Sequence, residues 1–163
     1  MRRAFIALGS NLATPADNLR RAMSRLAAFS AEPPLTSSLW QTTPVDCPPG
    51  SPPFVNAVVS LEPLAGETAV SLMAKLQGLE REFGRAPKKV MNEPRPLDLD
   101  LIAFGDEQRC GPELTLPHPR AHERRFVLAP LAELAPNLVL PGQSKSVSQL
   151  LAGLPPDPEM RRI

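Results

Sequence analysis

The stretch Leu97-Asp98-Leu99-Asp100-Leu101-Ile102-Ala103-Phe104 decides the fold. Its alternation is that of a strand with two different faces, Leu97, Leu99 and Leu101 on one and Asp98 and Asp100 on the other. Working back from it, Glu67–Phe83 reads as a helix with Leu72, Leu76, Leu79 and Phe83 on one stripe and Gly84 placed to end it. Phe54–Leu61 alternates again, Val55, Ala57, Val59 and Leu61 against Phe54, Asn56, Val58 and Ser60. Leu35–Thr43 carries Thr, Leu and Trp and reads as another strand. Before it, Thr14 as N-cap, Pro15 at the first helical position and Asp17 in the first turn open a helix whose apolar face is Leu19, Ala22, Met23 and Leu26. Ala4–Leu8 is a short buried strand closed by a turn at Gly9-Ser10-Asn11. Strand, helix, strand, strand, helix, strand is the ferredoxin-like βαββαβ order. The expected class is therefore α+β, an antiparallel sheet with helices packed on one face plus C-terminal additions.

Those additions are less regular. Pro130–Leu134 reads as a short helix, and Ser146 and Gln149 form a capping-box pattern before Leu150-Leu151. Both are expected to close one edge of the domain. No repeat or long linker interrupts the 163 residues, which are expected to make a single domain. Two connections, Pro44–Pro53 and Gly84–Pro96, are long enough to be functional loops.

Composition narrows the class of function. Lys and Arg number 18 against 17 Asp and Glu, a formal net charge of +1. Nonspecific nucleic-acid binders and proteins that adsorb to anionic membranes need a basic excess, so neither partner is expected. A 42% hydrophobic content supplies a core that a disordered chain lacks. With 6 Phe, 1 Trp and no Tyr, that core rests on Leu, Val and Ala. The 21 prolines stand well above the usual share of roughly 5% and should punctuate and stiffen loops. Cys47 and Cys110 are isolated from any metal-ligand spacing. They suit a reducing cytosol, with room for one disulfide. The apolar run after Arg2-Arg3 stops at Gly9, short of an export signal, and Pro130, Glu133 and Pro136 break the apolar stretch from Phe126 to Leu140. A cytoplasmic protein is expected, acting as a monomer.

Chemistry concentrates around the acid pair. Two carboxylates on neighbouring positions of one strand face suit hard divalent cations. At roughly 6 Å they repel by about 3 kcal/mol at an effective dielectric near 20, but by under about 1 kcal/mol in water. In a cleft the pair needs cations; on an open strand face it needs none. Arg85, Lys88, Lys89 and Arg95 upstream, with His118, Arg120, Arg124 and Arg125 downstream, favour the cleft. Carboxylates that hold metal, ringed by cations that hold phosphate oxygens, are what phosphoryl transfer requires. No GxxxxGK[ST] loop is present, so a nucleotide is not cradled in P-loop fashion. His118 is held between Pro117 and Pro119, where it is either a structural residue or a rigid donor to phosphoryl oxygens. Gln77 and Glu80, one turn apart on a helix, read as a solvated surface pair. Phe54 beside Asn56 on one strand face suits a flat, hydrogen-bonding heterocycle, although packing alone would also explain Phe54.

Taken together, the segments resemble the hydroxymethyl-dihydropterin pyrophosphokinase family of folate biosynthesis. The matching pieces are Ala7-Leu8-Gly9-Ser10-Asn11-Leu12, Thr42-Thr43-Pro44-Val45, Phe54-Val55-Asn56-Ala57, Leu79-Glu80 with Gly84-Arg85, Pro94-Arg95-Pro96-Leu97-Asp98-Leu99-Asp100, Pro117-His118-Pro119, and Arg124 with Phe126-Val127-Leu128-Ala129-Pro130-Leu131. They occur in the family's order. The resemblance implies a ferredoxin-like fold and transfer of pyrophosphate from ATP, the co-substrate, to the hydroxymethyl group of a reduced pterin, releasing AMP. It implies two magnesium ions held by Asp98 and Asp100, with Asp98 also helping to accept the hydroxyl proton. Arg85, Arg95 and Arg124 are implied in phosphate binding and His118 in contact with the nucleotide phosphates, with Gln77, Leu101 and Thr115 near the nucleotide. Phe54 and Phe126 are implied to sandwich the pterin ring, and Asn56, Thr42, Pro44 and Val45 to read its edge.

Departures from the family pattern fall mainly in the loops. Asn92-Glu93 replaces a common Trp-Gly, Pro87 a frequent basic residue, Asp46 a Gly, Gly50-Ser51-Pro52-Pro53 an Asp-Gln-Pro triplet, and Pro119 a Tyr. They bear on loop closure and turnover rather than on reaction type. Two other readings use the same residues. A nucleotidyltransferase on a ferredoxin-like sheet would use Asp98 and Asp100 without bracketing a flat ring, and a ligand-sensing module would need neither acid.

Overall fold

The structure, a computed structural model, describes residues 3–12, 14–42, 52–84 and 96–163. The elements are β1 (Ala4–Ser10), α1 (Pro15–Leu26), β2 (Leu35–Thr36), β3 (Trp40–Thr42), β4 (Phe54–Leu61), α2 (Ala69–Glu82), β5 (Asp98–Phe104), β6 (Arg109–Cys110), β7 (Thr115–Leu116), α3 (Arg125–Leu134), α4 (Val147–Ala152) and β8 (Arg161–Arg162). The main sheet runs β5-β1-β4-β3-β8, with β2 also paired to β4. β1 is antiparallel to both β4 and β5, and β3 to β4. Each helical crossover thus skips one strand, which is what a ferredoxin-like sheet requires.

One sheet face is apolar except at its end, where Ser10 and Gln41 pair Val55. Ile6 and Leu8 of β1, Val55, Ala57 and Val59 of β4, and Leu99 and Leu101 of β5 pack under Leu19, Ala22 and Leu26 of α1 and Leu72, Leu76 and Leu79 of α2. The stripes expected from the 3.6-residue period are the ones buried. At the N-terminus of α2 the Thr68 side chain accepts from Ser71 N while the Ser71 hydroxyl accepts from Thr68 N, a reciprocal cap. Gly84, at φ +90°, follows the helix end. Thr14 behaves otherwise than expected, since its side chain makes no cap hydrogen bond. The entry to α1 is tied instead by Asn18, whose amide donates to Leu12 O at 3.0 Å and Ser10 Oγ at 3.3 Å.

The second face is only partly packed under helices among the described residues. Phe5, Val58, Ile102 and Ala103 pack against Val127, Leu128 and Leu131 of α3 and Val147 of α4. A β-bulge helps: Phe5 pairs Ala103 and Ile6 pairs Leu101, leaving Ile102 extra. Ile102 and Ala103 both turn to this face before Phe104 returns to the other. The C-terminal segments were expected to close an edge; α3 and α4 instead cover the second face, because their apolar residues have that half-sheet to bury. Only β8 lies at an edge, beside β3.

Three boundaries shift. The strand read at Leu35–Thr43 is split at Ser37, whose hydroxyl replaces a backbone acceptor by taking Val58 N at 2.9 Å. The turn read at Gly9-Ser10-Asn11 comes later, because Gly9 and Ser10 still pair with Asn56 and Val55. The helix read at Pro130–Leu134 begins at Arg125 and takes Pro130 into its interior, buried. The burial of Val127, Leu128 and Leu131 outweighs the one backbone bond the proline removes.

Candidate active site

The half of the second face beyond α3 and α4 is built from strand register. Gly9 pairs Asp98 on one side and Asn56 on the other, and Asn56 in turn pairs Trp40. Directly paired residues share a face, so Asp98, Gly9, Asn56 and Trp40 form one row across four strands. The next row inward holds Asp100, Ala7 and Val58; the row outward holds Phe54 opposite Thr42. With strands about 4.8 Å apart, Asp98 and Asn56 are about 10 Å apart along the row, with no side chain between them. That gap depends on Gly9. A Cβ there would meet Asn56 Oδ1 at 3.1 Å and Phe54 Cδ1 at 3.8 Å, so both β4 side chains lean over it.

Each end of the row is locked by a different device. On β4, Asn56 is buried, and its amide nitrogen donates to Thr42 Oγ1 at 2.8 Å. This sets the amide so that Oδ1 faces Gly9. On β5, an edge strand, Leu99 N donates to Glu80 Oε2 at 2.7 Å between the two aspartates. Gln77 is exposed on α2, but Glu80 is only 9% exposed, so the pair is not the solvated surface expected. The signal was present: Glu80 lies four residues after Leu76 and three before Phe83, an acid on the apolar stripe.

Cations and an imidazole border the acidic end. His118 N donates to Ile102 O at 2.8 Å, and its Nδ1 accepts from Arg120 N at 3.3 Å. Burial, foremost, and then Arg124 and Arg120 hold the His118 pKa below its usual value, while Asp98 pulls the other way. His118 therefore lies within electrostatic reach of both Asp98 and Arg124. Arg124 also stands 5.5 Å from the centre of the Phe126 ring, at the start of α3.

The structure thus places Asp98, Asp100, Phe54, Asn56 and Thr42 on one face, with His118, Arg124 and Phe126 around it. Leu101 differs: its side chain is buried on the opposite face with Leu97 and Leu99, so only its backbone could meet a ligand. Thr115 lies half-buried in the β6–β7 hairpin, paired with Cys110. Pro44, Val45, Arg85 and Arg95 lie outside the described residues, as do most of the two long loops. No group of three or more His, Cys, Asp or Glu in metal-holding proximity occurs among the described residues. The donor set is a carboxylate pair, half-buried and all-oxygen. It fits Mg²⁺, which is commonly held by one or two carboxylates with phosphate and water completing its shell, rather than a metal that needs a protein cage.

A family model described as 7,8-dihydro-6-hydroxymethylpterin-pyrophosphokinase (HPPK) matches residues 5–136. The chain is 38% identical over 149 residues to the 2-amino-4-hydroxy-6-hydroxymethyldihydropteridine pyrophosphokinase of Haemophilus influenzae, covering 91% of this chain and 90% of that one. It is 37% identical to the protein of the same name from Pseudomonas aeruginosa, covering 95% and 93%. Among solved structures, a Plasmodium falciparum HPPK-DHPS with SDX-DHP superposes with a TM-score of 0.72 at 14% identity, a likeness of fold. There the match takes in 93% of this chain and 45% of that longer one.

Proposed function

From the premise that the chain belongs to the 7,8-dihydro-6-hydroxymethylpterin-pyrophosphokinase family, we propose how its residues divide the work of moving pyrophosphate from ATP to the hydroxymethyl group of the dihydropterin. This reaction of folate biosynthesis yields the pterin diphosphate and AMP. One observation carries the reading: Asp98 and Asn56 occupy the same row, on either side of a residue without a side chain. A flat heterocycle read by Asn56 lies across Gly9 and brings its hydroxymethyl arm toward the acids.

Asn56, oriented by Thr42, offers its carbonyl oxygen to ring N–H donors, and Phe54 and Phe126 stack on the ring. Pro44 and Val45 complete its edge. Asp98 and Asp100 would hold two magnesium ions, which would lower the charge on the triphosphate. Asp98 also helps to accept the proton of the attacking hydroxyl. Arg124 and His118 bind phosphate oxygens, and a depressed pKa leaves His118 neutral near pH 7, donating one N–H rather than adding charge. Arg85 and Arg95 supply further cations, and the backbone of Leu101 with Gln77 and Thr115 meets the nucleotide. Loops around residues 44–53 and 84–96 exclude water, which competes for the phosphoryl group. The chain works as one domain and a monomer in the cytoplasm, without nucleic acid. No helix among the described residues is long and apolar enough to cross a membrane.

The test is AMP release from ATP in the presence of magnesium and the reduced hydroxymethylpterin, for wild type and Asp100→Ala. AMP should rise in step with pterin consumption in the wild type alone. Production of ADP instead, or full activity in Asp100→Ala, would end this assignment of roles.

A further inference from the structure

The helix that carries Phe126 is anchored far from the acids, at β3 on the other side of the sheet. Ten residues of α3 span about 15 Å, and the three strand spacings from β5 to β3 span about 14 Å. At its start, Arg124 lies within electrostatic reach of His118, which in turn feels Asp98. At its end, Glu133 accepts from Trp40 Nε1 at 2.7 Å, from the Ser38 hydroxyl at 2.8 Å and from Ser38 N at 3.3 Å. α3 is thus a crossbar over the second face, and Glu133 is its bolt to β3.

β3 needs a bolt. It has three residues and is bordered on its outer side by the two-residue β8. Yet it supplies Thr42, which orients Asn56, and Trp40 shares the Asn56 row. On the pterin reading, Phe126 on the crossbar and Thr42–Asn56 on the sheet are two walls of one slot, and Glu133 is a polar contact that ties the first wall's helix to the strand of Thr42. We propose that Glu133 is a positioning residue for the pterin slot: with Ser38 and Trp40 it sets the spacing between Phe126 and the Asn56–Thr42 pair, and so the affinity for the flat heterocycle. It touches no reacting group. The inference rests on the pterin reading of that slot.

A carboxylate taking three donors cannot be replaced by a methyl, whereas an amide keeps one acceptor oxygen and Ser38 can rotate to meet its NH₂. Steady-state assays should show Glu133→Ala raising the pterin KM about tenfold, with kcat and the KM for ATP within about twofold of wild type, and Glu133→Gln recovering most of the loss. Trp40 is the only tryptophan and the chain has no tyrosine, so its emission reads the bolt directly. Acrylamide should quench Trp40 more readily in Glu133→Ala than in Glu133→Gln or wild type. Ser38→Ala, a milder cut, should raise the pterin KM by about threefold.

A Glu133→Ala protein that melts like wild type and keeps the wild-type pterin KM overturns the proposal. So does an equal loss in kcat and in both KM values. If Glu133→Ala does not fold, unchanged pterin KM values in both Glu133→Gln and Ser38→Ala overturn it. A wild type that releases no AMP with pterin would instead bring down the functional reading beneath it.

Discussion

The two faces of the sheet solve opposite problems with the same strands. One face, under α1 and α2, is apolar from Ala4 to Leu8 and from Val55 to Leu61 and is covered along its length. The other is covered by α3 and α4 over Phe5, Val58, Ile102 and Ala103; beyond them, among the described residues, Asp98, Asp100 and Phe54 are half-buried beside the buried Gly9 and Asn56. Burying the acids beneath a helix would strand their charges in a low dielectric. The site occurs where the covering helices stop.

That contrast is best broken at its most polar point. Asp98→Ala and Asp100→Ala should each lower kcat/KM by on the order of 10³-fold, about 4 kcal/mol of transition-state stabilisation, with thermal melting at or above the wild-type temperature. AMP-release kinetics and calorimetric melting check both halves. A large loss of stability would mean that the acids hold the fold as well as the substrate.

On the covered face the pattern should reverse. Leu76 is fully buried, and Leu76→Ala should cost about 2–5 kcal/mol in urea unfolding while leaving kcat of the folded fraction near wild type. A selective loss of turnover would show that the two faces are coupled rather than separate.

Smaller effects sharpen the division within the open face. Phe126→Ala should weaken pterin binding by about 1–3 kcal/mol in titration calorimetry, with ATP binding unchanged. Unchanged pterin affinity removes Phe126 from the slot. Thr42→Val leaves the buried Asn56 amide without its acceptor and should cost about 1 kcal/mol of pterin affinity. An effect on ATP affinity alone would remove Thr42 from the pterin slot.

Much of this was legible along the chain. Leu19, Ala22 and Leu26, and Leu72, Leu76 and Leu79, announce themselves at the helical period, and Asp98 and Asp100 at the period of a strand, because local geometry alone decides which side chains share a face. The Ser146–Gln149 cap was equally plain, since its partners are three residues apart. Other features depend on partners far along the chain. Glu80 reads as a surface acid until β5 is beside it and Leu99 N needs an acceptor. Gly9 reads as a turn until Asn56 and Asp98 flank it. Leu101 lies next to Asp100 in sequence yet faces away from the site, as the alternation that separates the acids from the leucines already implies.

The sequence by itself determined the element order, the apolar stripes, the acid pair and the family, all carried by short-range periodicity and local motifs. Only the tertiary structure decided that Asp98, Gly9 and Asn56 stand in one row, that α3 and α4 take the second face instead of an edge, and that Glu133 bolts the helix of Phe126 to the strand of Thr42. Register, coverage and long-range hydrogen bonds depend on which strands meet, and burial against the entropic cost of loop closure, rather than local preference, decides that.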